Sequence, residues 1–115
     1  MSIEFYGIPN CDTVKKARTW LEARGIEYTF HDYKKEGADP AKLTAWIDAA
    51  GLDAVLNRRG TTFRKLSDAD KVDIDAAKAV RLMAEHPSLI KRPVVELDGG
   101  VLVGFKEAEW AAAFG

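Results

Sequence analysis

Cys11, the single cysteine of this chain, is the residue best suited to covalent chemistry. It follows Tyr6-Gly7-Ile8-Pro9-Asn10 and precedes Asp12-Thr13-Val14, where a short apolar strand runs through a proline turn into an amphipathic stretch. A cysteine at that junction sits at a helix N-terminus, whose unpaired N–H groups and positive dipole end favour the nucleophilic thiolate. The competing reading is a small buried hydrophobe, the usual fate of a lone cysteine, and placement argues against it here. Asn10 offers an amide beside the sulfur, and the backbone N–H groups of Asp12 and Thr13 complete a set that would hold the thiolate. Asn10 and Thr13 are also suited to helix capping. The Asp12 carboxylate complements the helix dipole while its charge opposes a thiolate, so it reads as structural.

Two further clusters could hold an anion. Asn57-Arg58-Arg59-Gly60-Thr61-Thr62 reads as a polar loop dense in donors, and Lys91-Arg92-Pro93 precedes an apolar strand. Arg59 and Arg92, with Arg58 as a secondary member, have the planar forked donors that match carboxylates and oxyanions. For any one of them the alternative is a solvated side chain or a weak surface ion pair. His31 and His86 show no partners in sequence and read as structural or solvated, and no Cys/His spacing makes a metal site. One cysteine cannot close an internal disulfide, so a redox cycle at Cys11 needs a second thiol from another molecule.

The chain of 115 residues is 47% hydrophobic and 30% charged with a net charge of -1, which fits one folded domain and excludes a disordered chain. No global positive field exists to hold nucleic acid, and direct DNA binding is disfavoured. The start at Ser2-Ile3-Glu4-Phe5-Tyr6 is strand-like and lacks a basic, then apolar leader, and no apolar run is long enough to span a bilayer. A cytoplasmic, soluble monomer is expected.

The elements that must position these residues are legible in the periodicity. Ile3–Ile8 reads as a strand, Val14, Ala17, Trp20 and Leu21 mark a helix closed by Gly25, and Ile26–Tyr33 reads as a second strand parallel to the first. Lys34-Lys35-Glu36-Gly37 breaks the pattern, and Asp39-Pro40 opens a helix that runs to Ala50 and stops at Gly51. Leu52–Glu85 carries only short helical stretches, Asp53–Leu56, Ser67–Lys71 and Asp75–Glu85. Pro93–Leu97 and Val101–Val103 form a hairpin around Asp98-Gly99-Gly100, followed by a helix over Lys106–Phe114. The order β-α-β, helices, β-β-α describes an α/β, thioredoxin-like fold: a four-stranded mixed sheet with a helical insertion, about residues 39–88, between its halves. In such a fold Cys11 lies beyond the carboxyl end of a strand, where open α/β sheets present their ligands. Trp20, Trp46, Trp110 and the phenylalanines are assigned to core packing.

Tyr6-Gly7-Ile8-Pro9-Asn10-Cys11-Asp12-Thr13, Lys15-Lys16-Ala17-Arg18, Arg59-Gly60-Thr61-Thr62 and Ile90-Lys91-Arg92-Pro93 together resemble the glutaredoxin-linked arsenate reductase and Spx (ArsC/Spx) family, in particular its YffB-type members. The resemblance spans nearly the whole chain. It implies a catalytic Cys11, anion-facing Arg59 and Arg92, and a cis proline at Pro93. It further implies a glutathione-dependent thiol reductase, with glutathione as co-substrate, no metal or tightly bound cofactor, and a small oxidised thiol or oxyanion as substrate. Arsenate reductases of this type carry a third arginine shortly after the hairpin, where this chain reads Leu102-Val103-Gly104-Phe105-Lys106, with Lys106 an imperfect substitute. Arsenate reduction is therefore expected to be weak or absent. Spx-type regulators commonly carry Cys-x-x-Cys, and here Val14 takes the second place, which removes an internal disulfide switch. Gly51 matches a glycine that in Spx touches the RNA polymerase alpha subunit. That match supplies the alternative reading, a transcriptional regulator with this subunit as partner, although a helix-ending glycine explains Gly51 equally well.

Overall fold

In the computed structural model, which describes residues 3–114, the alternation of the first strand decides where the core lies. Ile3, Phe5 and Gly7 are buried while Glu4 and Tyr6 are only half-buried, so one face of β1 (Glu4–Gly7) is committed to packing. The turn after it leads into α1 (Asp12–Ala23), whose buried stripe is Val14, Ala17 and Leu21. Burying side chains the size of Val14 and Leu21 is worth about 1.5–3 kcal/mol each, enough to fix the helix on the sheet. β2 (Thr29–Asp32) pairs parallel to β1 with Phe5 opposite Phe30. β3 (Val94–Leu97) pairs antiparallel to β1 with Phe5 opposite Val95, and β4 (Gly100–Val103) closes a hairpin onto β3. The sheet order is β2-β1-β3-β4, mixed and four-stranded, as the thioredoxin-like reading requires. α8 (Glu107–Phe114) adds Trp110 to the cluster of Ile3, Phe5, Val14, Ala17, Leu21 and Val95. The Trp110 ring meets Phe5 and Phe105 edge-on, and its Nε1–H donates to the Gly104 carbonyl at 3.0 Å.

The chain forms two compact units, residues 1–32 with 92–115, and residues 33–91. The sheet, α1 and α8 belong to the first. The second is helical: α2 (Tyr33–Glu36), α3 (Pro40–Ala50), α4 (Leu52–Val55), α5 (Thr61–Arg64), α6 (Asp68–Lys71), α7 (Ala76–Glu85) and a 3-10 turn at Pro87–Leu89. Three of its helices, α3, α6 and α7, begin where side chains cap them. Asp39 accepts from Ala41 N–H, Ser67 from Asp70 N–H and Asp75 from Lys78 N–H, and Pro40 fills the first turn of α3. Leu43, Trp46 and Ile47 of α3 and Ala79, Leu82 and Met83 of α7 supply much of this unit's core, with Val55, Leu89 and Ile90.

Three elements, β2, α2 and α5, differ from the sequence reading. The second strand is shorter than Ile26–Tyr33, because its ladder on β1 begins where Thr29 N–H reaches the Ile3 carbonyl and ends at the Gly7–Asp32 pair. Tyr33 then starts a helical turn instead of extending the strand, and its hydroxyl donates to the Ile90 carbonyl at 3.3 Å. The polar segment Asn57–Thr62 is a loop only as far as Gly60, because α5 starts at Thr61. Ser2, the first residue of the expected strand-like start, lies outside the described residues. No helix among them is long and apolar enough to cross a membrane.

Candidate functional site

The turn between β1 and α1 is built by Ile8-Pro9-Asn10-Cys11, with Cys11 N–H donating to the Ile8 carbonyl at 3.2 Å across Pro9 and Asn10. That bond closes the loop and aims the chain into the helix. Gly7 makes room for the approach: a Cβ there would lie 3.0 Å from Val14 Cγ2, closer than a packed side chain tolerates. The motif carried Gly7 without a role; its packing duty shows only once β1 and α1 are placed together.

Cys11 is the N-cap residue of α1, in extended conformation (φ -92°, ψ 127°), and its carbonyl receives the Lys15 N–H at 3.0 Å. Its side chain makes no capping hydrogen bond. The N–H groups of Asp12 and Thr13 have no acceptor among the described residues, so the first turn keeps its donors and dipole for a group at the sulfur. Neither Asn10 nor Thr13 caps the helix, which removes the simpler role each had; both are exposed, as is Asp12. The thiol is half-buried, with Cys11 packed against the Phe5–Val14–Trp110 cluster and part of its surface open.

Sheet register brings a second group to this end of the first unit. Tyr6 pairs with Val94, so Pro93, one residue earlier on an antiparallel strand, falls opposite Gly7 at the edge of the turn that carries Cys11. The Arg92–Pro93 peptide is cis, Pro93 is buried, and its carbonyl accepts from Gly104 N–H at 2.8 Å. Arg92 is half-buried, and its guanidinium makes no hydrogen bond or ion pair within the first unit among the described residues. A half-buried cation without a counter-ion has solvation to regain from an anionic ligand.

Arg58 and Arg59 belong to the second unit. The strand-like bridge between Leu56 and Ile90, with Asn57 N–H donating to Leu89 and Lys91 N–H to Val55, each at 2.8 Å, fixes where their loop begins. The Asn57 side chain accepts from Arg59 N–H at 3.1 Å, an Asx turn that shapes the loop before Gly60. Arg58 gives its guanidinium to Asp53 at 3.2 Å, a pairing five residues back that periodicity does not signal. Arg59 is exposed and makes no side-chain ion pair within its unit among the described residues.

Lys106 and His31 have partners that the sequence did not show, and His86 sits as expected. Lys106 lies 3.5 Å from Glu109 one helical turn on, so its ammonium is held to α8. His31 has partners: Nε2 lies 3.0 Å from Glu4 Oε2 and the ring stacks on Tyr6 at 4.6 Å, contacts set by the parallel register of β1 and β2. His86 is the exposed C-cap of α7, in line with a solvated role.

Known proteins are similar to this chain over nearly its full length. A solved YffB protein superposes with a TM-score of 0.96 at 54% identity, covering 99% of this chain and 100% of its own. The solution structure of an arsenate reductase (ArsC) related protein from Brucella melitensis is also 54% identical, with a TM-score of 0.76, over 99% of this chain and 95% of its own. The global transcriptional regulator Spx of Listeria monocytogenes is 30% identical over 93% of this chain and 82% of its own length. The sequence pattern of the ArsC family matches residues 6–113, from within β1 into the last turn of α8, and the chain belongs to that family.

Proposed function

We propose that this chain is a glutathione-dependent thiol reductase with Cys11 as its single nucleophile and with arsenate reduction weak or absent. The observation that carries the reading is the start of α1: a half-buried thiol at the N-cap, with the first-turn N–H groups of Asp12 and Thr13 left without acceptors among the described residues. In this reading the Cys11 thiolate attacks one sulfur of a disulfide, a new S–S bond forms at Cys11, and the other sulfur leaves as a thiolate that takes a proton from water. With no second cysteine in the chain, the thiolate of a glutathione molecule breaks the Cys11 adduct and leaves as the disulfide. The N–H groups of the first turn and the Asn10 amide hold negative charge at the sulfur before and after each exchange. Arg92 binds a carboxylate of the co-substrate; Arg59 and Arg58 are tested as further carboxylate contacts by single substitution. A third arginine after the hairpin is absent, and Lys106, paired with Glu109 at the surface, lacks the forked donors of an arginine, which leaves a multiply charged oxyanion short of one bidentate partner. Steady-state reduction of a small mixed disulfide, with glutathione regenerated by a coupled reductase, tests the reading. Turnover should saturate in glutathione and vanish in Cys11→Ser, and turnover that survives the substitution would overturn it.

A second reading, a transcriptional regulator acting on the RNA polymerase alpha subunit, is favoured by the Spx relative. Gly51 itself adds little to it: φ is 98° at the junction of α3 and α4, a conformation that calls for glycine without any partner. Retention of the purified chain on immobilised alpha C-terminal domain would support that reading, and no retention would remove it.

A further inference from the structure

A groove runs along α1 from the turn that follows Cys11. It has a volume of about 430 Å³ and is lined by Lys15, Lys16, Thr19, Trp20, Phe105 and Glu107, all within the first unit. Lys15 and Thr19 stand one and two helical turns beyond Cys11 on the same strip, so at about 1.5 Å per residue the groove opens roughly 6 Å along the axis from the cysteine. Its floor is aromatic. Trp20 and Phe105 are half-buried and meet edge-on at 6.2 Å, and the Arg24 guanidinium covers one face of the indole at 4.0 Å. Its rim is cationic on balance: Lys15 and Lys16 are exposed and make no ion pair among the described residues, against one exposed carboxylate, Glu107. The buried Trp20 Nε1–H has no acceptor there either.

We propose that this groove docks the leaving-group side of the substrate disulfide, a peptide segment with an aromatic or large aliphatic side chain and an acidic side chain next to its oxidised cysteine. The proposal rests on the thiol reductase reading and names the substrate class of the same thiol. Charge complementarity selects the occupant: on the α1 side, two unpaired ammonium groups outnumber the single Glu107 carboxylate across the apolar floor, and fit a carboxylate beside an apolar side chain. Glutathione has carboxylates and amides but no large apolar group, so it does not fill such a floor. The reaction balances without a further oxidant. The Cys11 thiolate attacks the glutathione sulfur of a peptide–glutathione disulfide, and a Cys11–glutathione bond forms as the old S–S bond breaks. The peptide sulfur leaves as a thiolate and is protonated by water. A second glutathione thiolate then frees Cys11 and departs as glutathione disulfide.

The test is single-turnover release of peptide thiol from glutathione disulfides of acetyl-Glu-Phe-Cys-amide, acetyl-Lys-Phe-Cys-amide and acetyl-Ala-Ala-Cys-amide, with wild-type protein in excess. The acidic aromatic peptide should be released about tenfold faster than the alanine peptide, a rough product of a few-fold for the charge and a few-fold for the ring. Lys15→Glu with Lys16→Glu should invert the order of the Glu and Lys peptides, and Lys15→Arg with Lys16→Arg should keep it. These exposed positions leave the fold in place. If all three peptides are released at one rate while Cys11 still takes up glutathione, the groove proposal is overturned and the thiol reading stands. If no peptide is released and Cys11 gains no adduct, both fall together.

Discussion

Replacing Arg92 with methionine separates a ligand-binding arginine from a structural one. Methionine keeps most of the apolar stem, so the substitution removes the charge and the forked donors with little change in packing. Within the first unit the Arg92 guanidinium has no ion pair or hydrogen bond among the described residues, so no polar contact of that unit is lost and unfolding free energy should stay within about 0.5 kcal/mol of wild type. Binding should respond differently. One charge-assisted contact is worth about 1.5–3 kcal/mol, and because Arg92 is only half-buried the lower end applies, close to a tenfold loss of rate. The assay pairs the rate of glutathione uptake from glutathione disulfide, followed by intact mass, with urea unfolding of the same variant. Arg92→Lys should recover part of the rate, since charge returns without the fork. The reasoning fails if Arg92→Met loses more than about 1 kcal/mol of stability while the rate is unchanged, because the arginine would then serve the fold.

Gly7→Ala places a methyl group 3.0 Å from Val14 Cγ2, and the overpacking should cost about 1–2 kcal/mol in chemical denaturation; a neutral result would mean that α1 is not seated by that contact. Burial raises the Tyr28 hydroxyl above its ordinary 10.0, with the Arg18 hydrogen bond opposing the shift and Glu22 adding to it. A raised folded-state value contributes stability below the unfolded value and loses it as pH climbs through the folded one. The stability gap between wild type and Tyr28→Phe should therefore shrink from about pH 9 upward, and a gap that is flat with pH would contradict this. A guanidinium after the hairpin is best placed at Lys106, because Gly104 stands at φ 75° and would strain any side chain. Lys106→Arg with Glu109→Gln, which frees the new group, should raise arsenate turnover about tenfold as measured by arsenite formation, and no rise would discard the missing-arginine account.

Much of this molecule can be read from residue order, and what cannot has a physical reason. The stripe Val14-Ala17-Leu21, the caps at Asp39, Ser67 and Asp75, and the alternation of Ile3-Glu4-Phe5 are local signals, and each appears where its spacing puts it. The end of β2 is not local: Tyr33 turns helical because β1 has run out of pairing positions at Gly7, 26 residues earlier in the chain. α5 hides in a polar stretch because a four-residue helix has no room for a period. The site divides in the same way. Cys11 at a strand-to-helix junction is legible from its neighbours. That Pro93 falls beside its turn needs the antiparallel register of β1 and β3, and the partners of Arg58, Lys106 and His31 depend on side-chain reach that no pattern encodes. The groove of Trp20 and Phe105 is missed for a related reason: both residues read as core, and only their half-exposure shows that the core has an open side.

The central claim is that Cys11 is a nucleophile that exchanges with glutathione, and the most direct measurement is intact mass after incubation with glutathione disulfide, then again after reduced glutathione is added. The wild type should gain one glutathione, mapped to Cys11 by peptide mass and removed by the free thiol, and Cys11→Ser should gain none. A folded wild-type protein that takes up no glutathione, or whose adduct reduced glutathione does not reverse, would contradict it.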